Sequence, residues 1–357
     1  MALSSVLIKN GKIWNGEKYL LGDVFVKNGM IVRIGQCEYT DVDYTYDAKD
    51  NIVAPGLVDI HMHMRGISCD DFGISADATC FPFGVTAAAD ASGGFGDCQR
   101  LDSFMVKNVV FVVADIKDNK ADFTQTEEML QKYGDRIGGV KVFFDATGHQ
   151  VSDCKPLEQI CEYAKKRNLR VMVHSNGTPV AMKQVFACLS KGDICTHTYH
   201  GAPHTVLEDD FKSLQEAKAR GIIIDNGMAG GVNTDFSVMQ KAVEFGAKPF
   251  TISSDVTSSS AFIRGGRYGL TMCMSMMRTM GMKEEEILQA VTSNAAKALG
   301  KDKEWGYIEE GRCADLTVLT YGNAGFDITD RAGNHLRSEK GYECLLTVCD
   351  GQVVYKK

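Results

Sequence analysis

The chain has no excess of basic residues. Its 39 Lys and Arg stand against 46 Asp and Glu, a formal net charge of −7 over 357 residues. Nucleic acid and anionic membrane surfaces are therefore poor partners, because both attract proteins through clustered positive charge. No apolar run reaches the ~18–20 residues of a membrane span. The segment Met1 to Asn10 lacks the basic, apolar and small-residue regions of a secretion signal. Among the twelve cysteines there is no C-x-x-C pair, which excludes a cysteine-based zinc site and a redox motif. Twelve thiols in so long a chain are too sparse for a disulfide scaffold and read as reduced, buried residues of a cytoplasmic protein. Without a secretion signal, the sequon Asn176-Gly177-Thr178 carries no weight. Internal repeats, low-complexity tracts and long linkers are also missing. What is present is 44% hydrophobic and 24% charged residues, enough to build a sizeable core and too apolar for disorder.

Both ends of the chain read as β-structure. Val6-Leu7-Ile8, Lys12-Ile13-Trp14, Asp23 to Val26 and Met30 to Ile34 are short apolar runs, separated by Asn10-Gly11, Asn15-Gly16 and Asn28-Gly29. Asn-Gly between such runs predicts hairpins. Near the other end, Asp315 to Leu319, Leu345 to Val348 and Val353 to Tyr355 are strands, with Asp350-Gly351 turning between the last two. We expect residues 1–54 and 310–357 to form one small β-sandwich domain. In between, eight apolar runs alternate with stretches of helical periodicity, such as Pro156 to Arg167 and Val238 to Phe245. Such alternation predicts parallel α/β structure, and residues 55–309 are close to the ~250 of a (β/α)8 TIM-like barrel. The competing doubly wound sheet usually carries a glycine-rich phosphate turn after its first strand. Here that strand runs into His61-Met62-His63-Met64-Arg65.

Barrel active sites form at the C-terminal ends of the strands, so polar residues closing apolar runs are the ones to collect. In Asp59-Ile60-His61-Met62-His63, strand alternation points Asp59, His61 and His63 to one face. Two imidazoles aimed at one point suit a metal. Lys141 sits inside the apolar run Gly139 to Phe144, where a charged amine is costly. It is either snorkelling or salt-bridged, or neutral, since burial lowers a lysine pKa. A neutral amine can add carbon dioxide and offer two carbamate oxygens to a pair of cations. His174, His197 and Asp255 end three further runs, with His200 and His204 just beyond His197. Nitrogen and oxygen donors suit Zn, and also Mn, Fe, Ni or Co.

This set resembles the amidohydrolase superfamily of metal-dependent hydrolases. Ala54-Pro55-Gly56-Leu57-Val58-Asp59-Ile60-His61-Met62-His63 is similar to its opening. Val291 to Gly300, followed by Gly306 to Leu316, is similar to its close. The resemblance implies His61, His63 and Asp255 around a buried Zn2+, and His174 and His197 around a second. Carboxylated Lys141 and a hydroxide would bridge the two, and Asp255 would be the general base. Thr196 to Gly201, Ile224 to Gly227 and Ile252 to Val256 resemble the deacetylase branch, whose substrates are acetylated, carboxylate-bearing small molecules. The chain departs from that branch at Met228, where a His is usual. The pair His61/His63 with Arg65, Val140 to Phe143 and His174 to Gly177 resemble dihydroorotases and dihydropyrimidinases instead.

Deacetylation of an N- or O-acetylated acid is thus the first expectation. Ring opening of a cyclic amide is the second, and a metal-free scaffold on the same fold the third. Arg65 is the candidate grip for a substrate carboxylate, because a guanidinium holds one through two hydrogen bonds; Arg264 and Arg267 are weaker ones. His200 is a candidate substrate or oxyanion contact. Asp145 would be a ligand if Lys141 is not carboxylated. Met272 to Met282 reads as helix core. A homo-oligomer is compatible with the sequence and not required by it.

Overall fold

The computed structural model describes residues 3–64, 73–91, 98–148, 151–263 and 268–357. Arg65, Arg264 and Arg267 lie outside the described residues.

The two ends of the chain meet in one eight-stranded mixed sheet. Ser5–Trp14 pairs antiparallel with Tyr19–Lys27 and parallel with Ile52–Pro55, and the latter pairs antiparallel with the C-terminal strand Leu316–Gly322. Alternate residues (Val6, Ile8, Val24, Val26, Val53, Leu316, Val318) fill a core with Leu346 and Val348. The Asn28-Gly29 and Asp350-Gly351 turns join Lys27 to Met30 and Cys349 to Gln352 through two residues at φ of 50° and 79°, and 49° and 72°. Paired positive φ values give the twist a two-residue hairpin needs. Asn10-Gly11 is not a turn. Residues on both sides of it pair with the same neighbouring strand, and the register slips between Ile8 and Gly11. Asn10, at φ 54°, forms a bulge within a single strand.

The middle of the chain is the barrel. Its first seven strands, all parallel and adjacent in this order, are Leu57–Met62, Val85–Asp90, Lys107–Val113, Ile137–Phe143, Arg170–His174, Ile194–Thr196 and Ile223–Ile224. The eighth position is held by residues 251–256, which make only single bridges: Thr251 to Asp225 on one side and Val256 to Met62 on the other. Two backbone hydrogen bonds tie this segment to the first strand. The Asp255 amide donates to the His61 carbonyl at 2.7 Å, and the His63 amide to the Val256 carbonyl at 3.1 Å. Asp59 reinforces the seam by accepting from the Ser254 hydroxyl at 2.5 Å and the Ser254 amide at 3.1 Å.

Helices pack outside the strands with the expected periodicity. Lys155–Lys166 buries Pro156, Leu157, Ile160, Tyr163 and Ala164, spaced as one face of a helix. Met274, Met276 and Met277 of Leu270–Thr279, and Met280 just beyond it, are fully buried core, and Met272 is partly buried against it.

The strand carrying Lys141 is packed to its limit. A Cβ on Gly139 would lie 2.4 Å from Phe111 Cε1 and 2.5 Å from the Arg170 carbonyl oxygen. The second contact is backbone in the next strand and cannot swing aside. Gly139→Ala is expected to lower stability by about 1–3 kcal/mol, the usual range for overpacking. Urea unfolding would show it as a lower midpoint at unchanged slope.

Candidate metal centre

His61 ends the first strand, buried to 1%. Its Nδ1 lies 2.9 Å from Thr196 Oγ1, and that hydroxyl donates to Asp225 Oδ2 at 2.7 Å. A hydroxyl has one proton, so Thr196 accepts from His61 Nδ1–H, and Nε2 is left with its lone pair free. That Nε2 is 3.1 Å from Lys141 Nζ and 3.2 Å from Asp255 Oδ1. His63 Nε2 reaches the same Oδ1 at 2.9 Å. His197 is oriented from behind in the same way. Its Nδ1 donates to the Gly227 carbonyl at 2.7 Å, which turns Nε2 to within 3.7 Å of Asp255 Oδ2. The His174 ring centroid is 4.4 Å from that of His197. One donor atom each from His61, His197 and Asp255 fits within 4.8 Å of the others.

The six collected residues are thus brought together at one end of the barrel. The four histidines and Asp255 border a cavity of about 370 Å³ whose walls include Phe143, Ala229, Val232, Asn233, Thr257 and Ser260, with Lys141 behind His61. No lysine or arginine is in that wall among the described residues. His200 is not part of it. His200 is buried to 1%, its Nδ1 donates to the Gly201 carbonyl at 2.7 Å, and its Nε2 has no partner among the described residues. Asp145 caps its own turn, accepting from the Gly148 amide.

Electrostatics favour ligand forms. Burial first, and the neighbouring Lys141 after it, holds His61 well below its ordinary value. Burial likewise lowers His174, and brings His197 down to about 4. All three are therefore neutral bases at pH 7. Burial opposes the ionisation of Asp255, but the His61 imidazole and the hydrogen bond from His63 outweigh it and hold the carboxyl well below the carboxylate range. Burial pulls Lys141 down to about 8. A cluster of neutral imidazoles, one carboxylate and a weakened amine fits a divalent cation.

Two ligand positions have backbone that side chains rarely adopt, His197 at φ 61° and Asp255 at φ 49°. Gly227, at φ 50°, allows the close approach behind His197. A Cβ there would lie 2.3 Å from Thr196 Oγ1 and 2.4 Å from His197 Nδ1. Sequence reasoning missed the supporting groups. Asp225 is fully buried and accepts from three hydroxyls, those of Thr196, Ser253 and Thr251, at 2.7, 2.7 and 2.8 Å. It ends an apolar run, the same signal that marked Asp255. Asn233, in a loop, carries no such signal.

The sequence profile of the amidohydrolase family matches residues 52–354. The chain belongs to the amidohydrolase family. It is 26% identical over 355 residues to a deacetylase of Agrobacterium fabrum, covering 92% of this chain and 85% of that one. A deacetylase of Enterococcus faecalis is 24% identical, with 98% of both chains covered. A dihydroorotase of Geobacter metallireducens is 21% identical over 99% of this chain and 100% of its own. Among solved structures, a dihydroorotase superposes with a TM-score of 0.88 at 23% identity, covering 99% and 98% of the two chains. An adenine deaminase superposes with a TM-score of 0.83 at 22% identity, covering 99% of each. These structures share the fold, an α/β barrel with terminal strands. The amidohydrolase chain is an enzyme of hydrolytic type. None of its described helices is long and apolar enough to cross a membrane.

The lowered Lys141 value has a definite sign in stability. Between pH 8 and the ordinary value of 10.5 the unfolded chain binds more protons than the folded one, so metal-free stability rises through that window. Below pH 8 the full penalty, roughly 3 kcal/mol, is present. Lys141→Met is expected to raise the unfolding free energy of the metal-free protein at pH 7 and to flatten its rise toward pH 10. Urea melts in chelator and carbon dioxide-depleted buffer would check both.

Proposed function

We propose that this amidohydrolase removes an acetyl group from an N- or O-acetylated, carboxylate-bearing small molecule. The observation that carries the hydrolytic site is the convergence of Asp255 with His61, His63 and His197 on one cavity, with Lys141 against His61. The deacetylases of Agrobacterium fabrum and Enterococcus faecalis, which align along nearly the whole chain, support the choice of bond.

In this reading His61, His63 and Asp255 hold one divalent cation, zinc in the first instance, and His174 and His197 hold a second. Lys141, whose Nζ is beside His61, would join the ligand set as the carbamate formed when its neutral amine adds carbon dioxide and releases a proton. Bound cations would lower the pKa of water toward neutrality and polarise an acyl carbonyl. The rest of the work belongs to the chain. Asp255 accepts the proton of the attacking water at a carboxylate oxygen and passes it to the departing nitrogen or oxygen. Thr196 and the Gly227 carbonyl keep the imidazoles of His61 and His197 from rotating. Phe143, Ala229 and Val232 keep the acyl group away from bulk water, and Asn233, Thr257 and Ser260 offer hydrogen bonds to its polar parts. We assign the substrate carboxylate to Arg65, two residues past His63 in the sequence, because a guanidinium holds a carboxylate through two hydrogen bonds. We also propose that residues 1–54 with 310–357 form one domain and residues 55–309 the other.

The test is acetate release from a panel of N-acetyl and O-acetyl acids, run beside dihydroorotate and hydantoins, on protein prepared with zinc and bicarbonate. Acetate from any acid above the enzyme-free control supports the reading. Ring opening with no acetate would move the chain to the cyclic-amide side. On the active substrate, Asp255→Asn is expected to keep much of the metal and lose at least 10²-fold in kcat, the usual lower scale of general acid–base catalysis. Near-normal turnover would refute the role of Asp255.

A further inference from the structure

Asp255 has a hydrogen-bond donor that the ligand set does not include. Asn233 Nδ2 is 2.9 Å from Asp255 Oδ2, the oxygen opposite the one facing His61 and His63. Asn233 Oδ1 in turn accepts from Asn176 Nδ2 at 2.8 Å. The order of donors in this chain is forced. An ionised carboxylate only accepts, so Asn233 must present its NH2 to Asp255 and its oxygen to Asn176, which must then present its own NH2. The two asparagines come from different strand ends. Asn176 lies two residues past His174 on the fifth strand, and Asn233 follows the seventh. The chain therefore spans from the His174 loop to the Asp255 strand across the cavity mouth.

The loop that carries Asn233 is itself braced. The Arg331 amide donates to the Gly231 carbonyl at 3.2 Å, and the Phe236 amide to Asp330 Oδ2 at 2.7 Å. Asp235 caps the helix Phe236–Phe245 through the Ser237 and Val238 amides. Asn233 is therefore held from both sides and is not a side chain that happened to fall near a carboxylate.

We propose that Asn176 and Asn233 form a positioning relay. Asn176 sets the orientation of the Asn233 amide, and Asn233 sets the rotation of the Asp255 carboxylate so that Oδ1 faces His61 and His63 and Oδ2 stays on the side of His197. The proposal rests on the reading of Asp255 as ligand and proton carrier. It adds two residues that fix the carboxylate.

The experiment measures Zn2+ affinity by competition with a chromophoric chelator, on the full chain, for wild type and for Asn233→Ala, Asn233→Leu, Asn176→Ala and the Asn176→Ala/Asn233→Ala pair. Groups that orient a ligand typically contribute 10–100-fold to affinity or activity. Asn233→Ala is expected to weaken Zn2+ by about 10-fold or more. Asn233→Leu keeps the volume and removes the donor to Oδ2, so it should bind as weakly as Asn233→Ala, whereas a purely space-filling role would restore affinity. Asn176→Ala should weaken Zn2+ less, and its effect should vanish in the Asn233→Ala background. Affinity within twofold of wild type in Asn233→Ala, a Leu variant restored to wild-type affinity, or full additivity of the two Ala changes would each overturn the relay. Thermal unfolding of the metal-free variants separates misfolding from loss of positioning; if Asn233→Ala misfolds, the near-isosteric Asn233→Leu decides. Where the panel yields a substrate, the variants should lower kcat more than they raise KM. Zinc binding needs no substrate, so a silent acetyl panel counts against the deacetylase reading and leaves the relay tested.

Discussion

The hydrogen bond from the Asp255 amide to the His61 carbonyl, 2.7 Å long, joins the two edges of the barrel sheet. Everything at the site depends on this seam. It is a short one, because residues 251–256 make single bridges to their neighbours in place of a continuous ladder. Polar side chains supply the rest of the closure: Ser254 binds Asp59 on the first strand and Ser253 binds Asp225 on the seventh. Buried hydroxyls and carboxylates are stable only when paired, and here the pairing itself aligns the strand ends. A seam of plain aliphatic residues could slide along the barrel. This one has a register set by hydrogen bonds.

The seam brings together groups that would be unfavourable neighbours anywhere else. Four imidazoles and an amine share a water-poor crevice with one carboxylate in direct reach, Asp255. Burial removes the charge from His61, His174 and His197 and weakens that of Lys141. The outcome is a set of ring nitrogens gathered around Asp255, with the opposite nitrogen of two rings tied to Thr196 and Gly227. The positive φ at both His197 and Asp255 shows what holding that arrangement requires of the backbone. Such conformations persist only where the surrounding bonds over-determine them.

Much of this was legible beforehand because strand ends are local features. His61, His63, Lys141, His174, His197 and Asp255 each close or interrupt an apolar run, and period-two alternation tells which way each points. The Asn28-Gly29 and Asp350-Gly351 turns were readable for the same reason, since turn chemistry lies within two residues. Asn10-Gly11 was misread because the same dipeptide also suits a bulge, and only the pairing of its flanks with one neighbour decides between them. By itself the chain's sequence determined the barrel and the terminal sheet, and it singled out residues that the structure gathers at the strand ends. It did not determine which donors meet, which nitrogen of each ring faces inward, or that His200 turns away from the cavity. Nor did it show that Asn233 reaches Asp255 and Asn176 reaches Asn233. Those are contacts between residues 22 to 192 positions apart, and their geometry follows from barrel closure, which no local pattern encodes.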